Sequence, residues 1–550
     1  MKKKLLPALI VTGLIILVVI IMGITALINK YTPTKKTEDL KEYFNISSDD
    51  EAALIVDNEL SDYKAKIIDK KIYVDYKFVH DSLNSRFYWD ANENVLLYTT
   101  ASDIISAAAD SNSYSVTKQT NDFGYPIVKA TSDSALIALD YVKQYSNITF
   151  KSYDDPARIV ITSKWDEIDS ATVSKSTQVR VKGGIKSPIL KEVKKDDKIT
   201  ILDSGDKWDK VATEDGVIGY IKRKALSESK KTKLTNPDYE EETFTHIKKD
   251  KDICLAWNQV TSQSANSKVP QVISSTKGIN VMSPTWFYLN DNNGNLADIA
   301  SKDYVSYCHS QGIEVWGLFS NFENTDVDAA YVLTHTSTRT TLINQIMSAA
   351  FNYELDGVNI DFENITEAAY GDSYIEFIRE LAIKCHNNGI SLSVDVTVPA
   401  SFNKFFNRSD MANFADYIVI MGYDEHYKGS DAGSVSSIPW VTEGVESTLK
   451  EVPADQIILG MPFYTRIWEL TPKEDDDAVT DTEDQSKYTV ASQVYSMDAA
   501  AAQLATNNAT AALDEESGQN YAEWSVSNKL YKVWLEDTTS LEKRLKLVDD

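Results

Sequence analysis

The chain has 550 residues, 43% of them apolar, enough to bury several cores, and by length alone it suggests roughly three or four domains. A formal net charge of -26 leaves no basic stripe to track phosphates, so nucleic acid is not an expected partner, and an anionic glycan would have to be held by stacking and hydrogen bonds. Three widely spaced cysteines, Cys254, Cys308 and Cys385, point to small buried hydrophobes rather than a disulfide framework, and six histidines without HExxH spacing imply no metal centre; no cofactor is called for.

In chain order, Lys2, Lys3 and Lys4 precede an uncharged apolar run from Leu5 to Ile28. At a rise of about 1.5 Å per residue that run crosses a bilayer. Its length, and the lack of a small-residue cleavage site, favour an uncleaved anchor over a signal peptide. The leading lysines place the N-terminus inside, although Lys30, Lys35 and Lys36 weaken the asymmetry. Residues 1–30 are therefore expected to be a cytoplasmic tip and a single transmembrane anchor, with the bulk of the chain outside the cell membrane. Residues 31–45, polar and carrying Pro33, read as a tether.

Two segments then resemble one another. "KIYVDYKFVHDSLNSRFYWDANENVLLYTT" (71–100) and "ALIALDYVKQYSNITFKSYDDPARIVITS" (135–163) each read as strand, short helix, strand, acidic turn, strand. The repeat predicts a small α+β domain over 46–168, similar to the copper amine oxidase N-terminal-like domains of bacterial surface proteins, a name that implies neither copper nor oxidase chemistry. From 171 to 228 the texture shifts to short strands between turns, predicting a small β-barrel. "VRVKGGIKSPIL" and "WDKVATEDGVIGYI" resemble a bacterial SH3-like domain, in which Trp208 and Tyr220 are either binding-face aromatics or barrel core. A charged linker, 229–250, follows.

From 251 to 550 strands and helices alternate. "DICLAWNQV", "GINVMSPTWFYL", "IEVWGLFSN", "LDGVNIDFENI", "ISLSVDVTVP", "DYIVIMGYDEHY" and "IILGMPFYTRIW" are strand-like, and Gly312 and Gly389 sit where helices end before the next strand. This is the pattern of a (β/α)8 TIM barrel with seven strands recognisable; the chain stops in the helix before an eighth, which reads as a C-terminal truncation. "KEDDDAVTDTEDQ" (473–485) reads as a mobile acidic loop without calcium-loop register, and "SMDAAAAQLAT" as helix.

In "ELDGVNIDFENI" (354–365) Val358, Ile360 and Phe362 alternate with Asn359, Asp361 and Glu363. In a barrel the polar face of such a strand looks into the lumen, and its C-terminal end opens on the active-site face. "DGVNIDFE", then "MGYDEH" about sixty residues later and "GMPFYTR" beyond, resemble glycoside hydrolase family 18, whose strand-four signature is DxxDxDxE. Within it, "GVNIDFENI" and "NYAEW…YKVWLEDTTSLEKRLKL" resemble the spore-cortex-lytic N-acetylglucosaminidase-like branch.

The resemblance implies a glycosidase in which Glu363 is the general acid and the substrate's own 2-acetamido oxygen is the nucleophile. Asp361 then orients the acetamide N–H and raises the pKa of Glu363 by its charge. Tyr423 holds the acetamido oxygen, and Asp424 meets sugar hydroxyls or the surroundings of Glu363. Asn359 stands where the signature has its second aspartate and cannot share a proton with Asp361, so Asn359→Asp is expected to be tolerated with a shifted pH profile. Asp356, out of phase with the others, is structural. Trp257, Trp286, Tyr464 and Trp468 are expected sugar platforms. The expected substrate is peptidoglycan, with chitin or an N-glycan core as the alternative enzyme reading and a non-catalytic glycan-binding surface protein as the alternative of another class. The expected setting is a monomer on a bacterial cell membrane of Gram-positive type.

Overall fold

The computed structural model describes residues 5–365, 368–473 and 484–549, so most of the acidic loop expected at 473–485 lies outside the described residues. Two compact units divide the chain. The first holds the chain up to Trp89 with Ala107–Tyr114 and Thr120–Glu241; the second holds Asp90–Ser106, Ser115–Gln119 and the chain from Glu242 onward.

The first unit opens with helix α1 (Leu5–Tyr31), of which Leu9–Tyr31 is long and apolar enough to cross a membrane, as an anchor or a signal would be. The two repeat-like segments have one element order. Lys71–Asp75, Tyr76–Ser82, Phe87–Asp90 and Val95–Thr99 run strand, helix, strand, strand, as do Ala135–Ala138, Leu139–Gln144, Thr149–Tyr153 and Arg158–Thr162. A separate seven-stranded antiparallel sheet contains the strands from Glu167 to Lys222, and its edge strand Lys230–Lys233 orders the start of the predicted linker. Ile55, in the strand Glu51–Val56 of the other seven-stranded sheet of this unit, shares one apolar cluster with Val179, Val211 and Ile221 of this sheet, and Arg158 donates to Asp215 at 2.5 Å. Within the first unit the two sheets therefore share a core.

The second unit is built on a curled parallel sheet. Its strands are β1 (Leu255–Asn258), β2 (Val281–Leu289), β3 (Glu314–Ser320), β4 (Gly357–Asp361), β5 (Ser391–Thr397), β6 (Tyr417–Met421) and β7 (Ile457–Gly460), paired in that order. Among the described residues these seven form the parallel run. Its edges approach each other: a Cβ added to Gly460 of β7 would lie 3.0 Å from the Trp257 ring of β1. The seventh predicted strand is longer in sequence than in space. Pro462 offers no N–H to a ladder, so β7 ends at Gly460 and β8 (Tyr464–Pro472) starts a different sheet. There it pairs antiparallel with β9 (Tyr488–Ser496) and with β12 (Lys529–Leu535), and the sheet continues through β11 (Gln519–Val526) to β10 (Ala512–Asp514).

Helix α2 (Thr336–Tyr353) has no side-chain cap of its own. Asp90 and Glu93 supply it instead: the Asp90 carboxylate accepts from the Thr336 N–H and hydroxyl, both at 2.6 Å, and Glu93 accepts from the Ser337 N–H at 3.1 Å. Negative side chains here also complement the helix dipole. Helix α3 (Gly371–His386) is buried on almost every side, so its charges are paired internally. Arg379 bonds Glu376 at 3.0 Å and also Asp410, Arg339 of α2 bonds Glu380 at 2.8 Å, and the Thr99 hydroxyl donates to Glu376 at 2.9 Å. Two cysteines are buried as the sequence implied, but Cys254 is exposed, because it precedes the short edge strand β1.

Arg379→Met leaves Glu376 and Asp410 without their cation in the interior. It should cost roughly 3–5 kcal/mol, read as a lower urea midpoint with an unchanged slope.

Candidate active site

The alternation of β4 divides its residues as the pleat requires: Val358 and Ile360 enter the apolar layer, and Asn359 and Asp361 face the lumen. Asn359, fully buried, uses both ends of its amide. Its Oδ1 accepts from Trp257 Nε1 of β1 and Ser283 Oγ of β2, each at 3.0 Å, and its Nδ2 donates to Ser393 Oγ at 3.0 Å and Asp395 Oδ1 at 2.7 Å, both on β5. One side chain thus ties four lumen groups from three strands, with its hydrogen-bonding capacity filled.

Asp361 ends β4, and its Oδ1 is buried without a hydrogen-bond partner. Burial, then the charges of Glu363 and Glu323, push its carboxyl up to about 8. Glu363 lies two residues past the strand end at the solvent-facing mouth. Burial of its inner side, then Asp424 and Glu323, raise it above the ordinary carboxylate range. Glu323 is itself held by the Ser320 hydroxyl at 2.6 Å. The source of the rise differs from the sequence expectation. The carboxylates that lift Glu363 are those of the loops beyond other strands, Asp424 and Glu323.

Across the mouth, the loop after β6 brings Tyr423 and Asp424. The Tyr423 ring stands edge-on to Trp257, 6.2 Å between centroids, and to Tyr464, 6.1 Å, and burial drives its hydroxyl pKa far up. Asp424 sits at φ +61°, a conformation that costs a non-glycine residue energy and is held by partners: Tyr464 donates to its Oδ1 at 2.6 Å and Arg466 at 3.4 Å. Asn359, Asp361, Glu363, Trp257, Tyr423, Asp424 and Tyr464 therefore meet at one end of the sheet. Asp356 lies at the opposite end of β4, where it accepts from the Val315 N–H and pairs with His309, both at 2.8 Å. Neither Trp286 nor Trp468 offers a ring to a sugar: both are buried in apolar clusters, with their indole N–H groups donating to Asn266 and to the Gly433 carbonyl.

Profile comparison matches residues 316–550 to Glycosyl hydrolases family 18. The C-terminal domain belongs to that family. Among curated relatives, this chain is 25% identical to the uncharacterized glycosylase YvbX of Bacillus subtilis over 33% of this chain and 55% of that protein. It is 23% identical to the cortical fragment-lytic enzyme of the same organism, over 47% of this chain and 59% of that protein. The chain thus spans little more than half the length of these relatives. Among solved structures, the Bacillus cereus spore cortex-lytic enzyme SleL is similar at TM-score 0.46 and 19% identity, covering 54% of this chain and 67% of that one.

Four residues of the family 18 domain that strand reading missed are the exposed aromatics of the loops beyond the strands. Phe322 follows β3, Phe402 follows β5, Tyr427 follows β6 and Phe463 follows β7, with exposures of 43, 78, 57 and 71%. Aromatic faces left in water at a barrel mouth suit the apolar faces of pyranose rings. The signal was their position just past each observed strand end; Phe322 and Phe402 fall outside the strand-like runs, whereas Tyr427 and Phe463 lie in the parts of those runs that the strands do not reach. Phe402→Ala and Phe463→Ala should each raise KM for a glycan oligomer about tenfold with kcat nearly unchanged, as loss of ground-state binding does.

The raised pKa of Asp361 also predicts a stability profile. Its unfolded pKa is about 3.9, and its folded value is about 8. Between these the native state binds the proton and the unfolded state does not, so this group's contribution falls as pH rises across the interval. Asp361→Asn should raise the melting temperature, with a gain that grows from acidic to neutral pH; a gain independent of pH would contradict the assignment.

Proposed function

We propose that the chain is a membrane-anchored extracellular glycosidase that cleaves β-linked N-acetylglucosamine glycans, with peptidoglycan as its substrate, by substrate-assisted retaining catalysis. The observation that carries this reading is Glu363, with its raised pKa, at the mouth of β4, facing Asp424 and Tyr423 across a lumen that holds Asp361. Protonated Glu363 gives its proton to the glycosidic oxygen as the bond from C1 breaks. The substrate's acetamido oxygen attacks C1 and forms an oxazolinium ion. Asp361 takes the acetamide N–H and offsets its positive charge, and the Tyr423 hydroxyl donates to the acetamido oxygen. Glu363, now a carboxylate, removes a proton from the water that opens the ring with retention.

Peptidoglycan is supported by the relative named as a cortical fragment-lytic enzyme and by the expected anchor at α1. An SH3-like reading of the second sheet adds a wall-contact surface: Trp208 and Tyr220 are half-buried side by side against Gly183. A monomer is the proposed state. A second reading, chitin, is favoured by the net charge of -26, which repels an anionic wall and not a neutral polymer.

Release of reducing ends from purified peptidoglycan and from chitin oligomers decides between the two. Glu363→Gln should lower turnover by at least about 10²-fold, with binding of the oligomer retained. A substrate carrying a 2-hydroxyl in place of the acetamido group should not turn over, because its nucleophile is gone. A covalent glycosyl adduct seen by intact-mass measurement would overturn the mechanism.

A further inference from the structure

Asn359 cannot act as a proton partner for Asp361, yet the lumen contains a carboxyl that can. Asp395 lies on β5, beside β4. The two strands pair in parallel through Asn359 with Ser393 and Ile360 with Val394, so the next residues in register are Asp361 and Asp395. Asp395 is buried, and its Oδ1 is fixed by Asn359 at 2.7 Å. Its Oδ2 has no hydrogen-bond partner, and neither has Asp361 Oδ1; both atoms are out of contact with solvent. Two orphaned carboxyl oxygens at one register position of adjacent strands are costly if both groups are ionised, and are reconciled if one proton lies between them.

We propose that Asp395 is a positioning residue that shares one proton with Asp361, and that Asn359 serves as the fixed amide that aims it. The proposal rests on the reading of Asp361 as the group that receives the acetamide N–H. As Asp361 turns to the acetamide it leaves the shared proton on Asp395, so it meets the growing oxazolinium charge as an anion. The proton returns when the ring opens, and none is gained or lost overall.

The surroundings fit one retained proton. Facing the pair are Glu363 on the β4 end, Glu323 beyond β3 and Tyr423 beyond β6, while Asp424 acts on Glu363; Tyr374 of α3, whose buried hydroxyl is unpartnered, and the Trp257 N–H complete the set. Burial and the charge of Asp361 raise Asp395 well above the carboxylate range, and Arg466, at the rim, is bonded to Asp424. Asn359→Asp, expected from sequence to be tolerated, would instead put a third carboxyl against Asp395 and should lower activity.

The test separates this inference from the proposed activity by using an infrared readout. In the Glu363→Gln background the neutral carboxyl C=O band of the pair should be present at neutral pH. It should disappear when Asp395→Asn is added and return when Asn359→Asp is added as well, which moves the second carboxyl across the same hydrogen bond. With Glu363 restored, Asp395→Asn should lower kcat at least tenfold with KM changed less than threefold, and the exchanged pair should recover most of that loss. A band that persists in Glu363→Gln/Asp395→Asn would assign the proton to Asp361 alone and overturn the proposal, as would failure of the exchange to restore the band in a folded protein. If the band behaves as described but no N-acetylglucosamine glycan is cleaved, the proton pair stands and the proposed activity fails.

Discussion

The central constraint in this molecule is the burial of carboxyl groups inside the lumen of a parallel sheet. Asp361 and Asp395 lie where an ionised carboxylate is costly, and the polar atoms around them are spent on holding Asn359 rather than on neutralising acid. Among the described residues the cation bonded to this group of acids is Arg466, at the rim and on Asp424. Protons must therefore offset the charge that cations do not. That need links the fold to the proposed chemistry, in which Glu363, raised by burial and by Asp424 and Glu323, would serve at the mouth as the general acid.

Other parts of the second unit can be understood as support for that lumen. Asp356 and Asp416 clamp the far ends of the strands. Each sits just before its strand and accepts a backbone N–H from a neighbour, Val315 for Asp356 and Leu392 for Asp416, while pairing with a histidine of a flanking helix. Behind the strands, α3 is enclosed tightly enough that its charges pair with one another and with Arg339 and Asp410. Buried ion pairs of this kind contribute little net stability, but removing one partner leaves a charge stranded, so they fix the position of the helix. Phe362 then stacks on Phe377 of α3, 5.4 Å between centroids, which carries that fixed position to the residue between Asp361 and Glu363.

Much of this was legible in the sequence because it follows from short-range pattern. Seven strand-like runs corresponded to seven parallel strands, and the alternation in 358–363 gave the lumen face of β4. What was not legible depended on contacts distant in the chain. Trp286 and Trp468 are aromatic residues of strands, like Trp257, and only packing shows that their rings are enclosed while Trp257 reaches the lumen. The exposed aromatics Phe322 and Phe402 lie outside the strand-like runs, and Tyr427 and Phe463 lie in stretches of those runs where the strand has already ended. Pro462 was a visible signal that β7 ends early, outweighed by the apolar residues on either side of it. Asp395 belongs to "SLSVDVT", which reads as an apolar buried strand, and its role emerges only when β5 is laid beside β4.

The departure at residue 359 shows how a lumen can tolerate the loss of a carboxyl from one strand. An aspartate there would face Asp395 Oδ1 at the position where Asn359 now donates at 2.7 Å, so two acids would compete for one proton with a third, Asp361, next to them. Asparagine resolves the conflict by supplying a donor toward Asp395 and an acceptor toward Trp257 and Ser283. The number of acids in the lumen is then set by the sheet as a whole and not by one strand's motif. A motif counts residues along the chain, whereas the proton is distributed across strands; with Asp395 beside Asp361, the asparagine at 359 is what keeps the cluster from carrying one carboxylate too many.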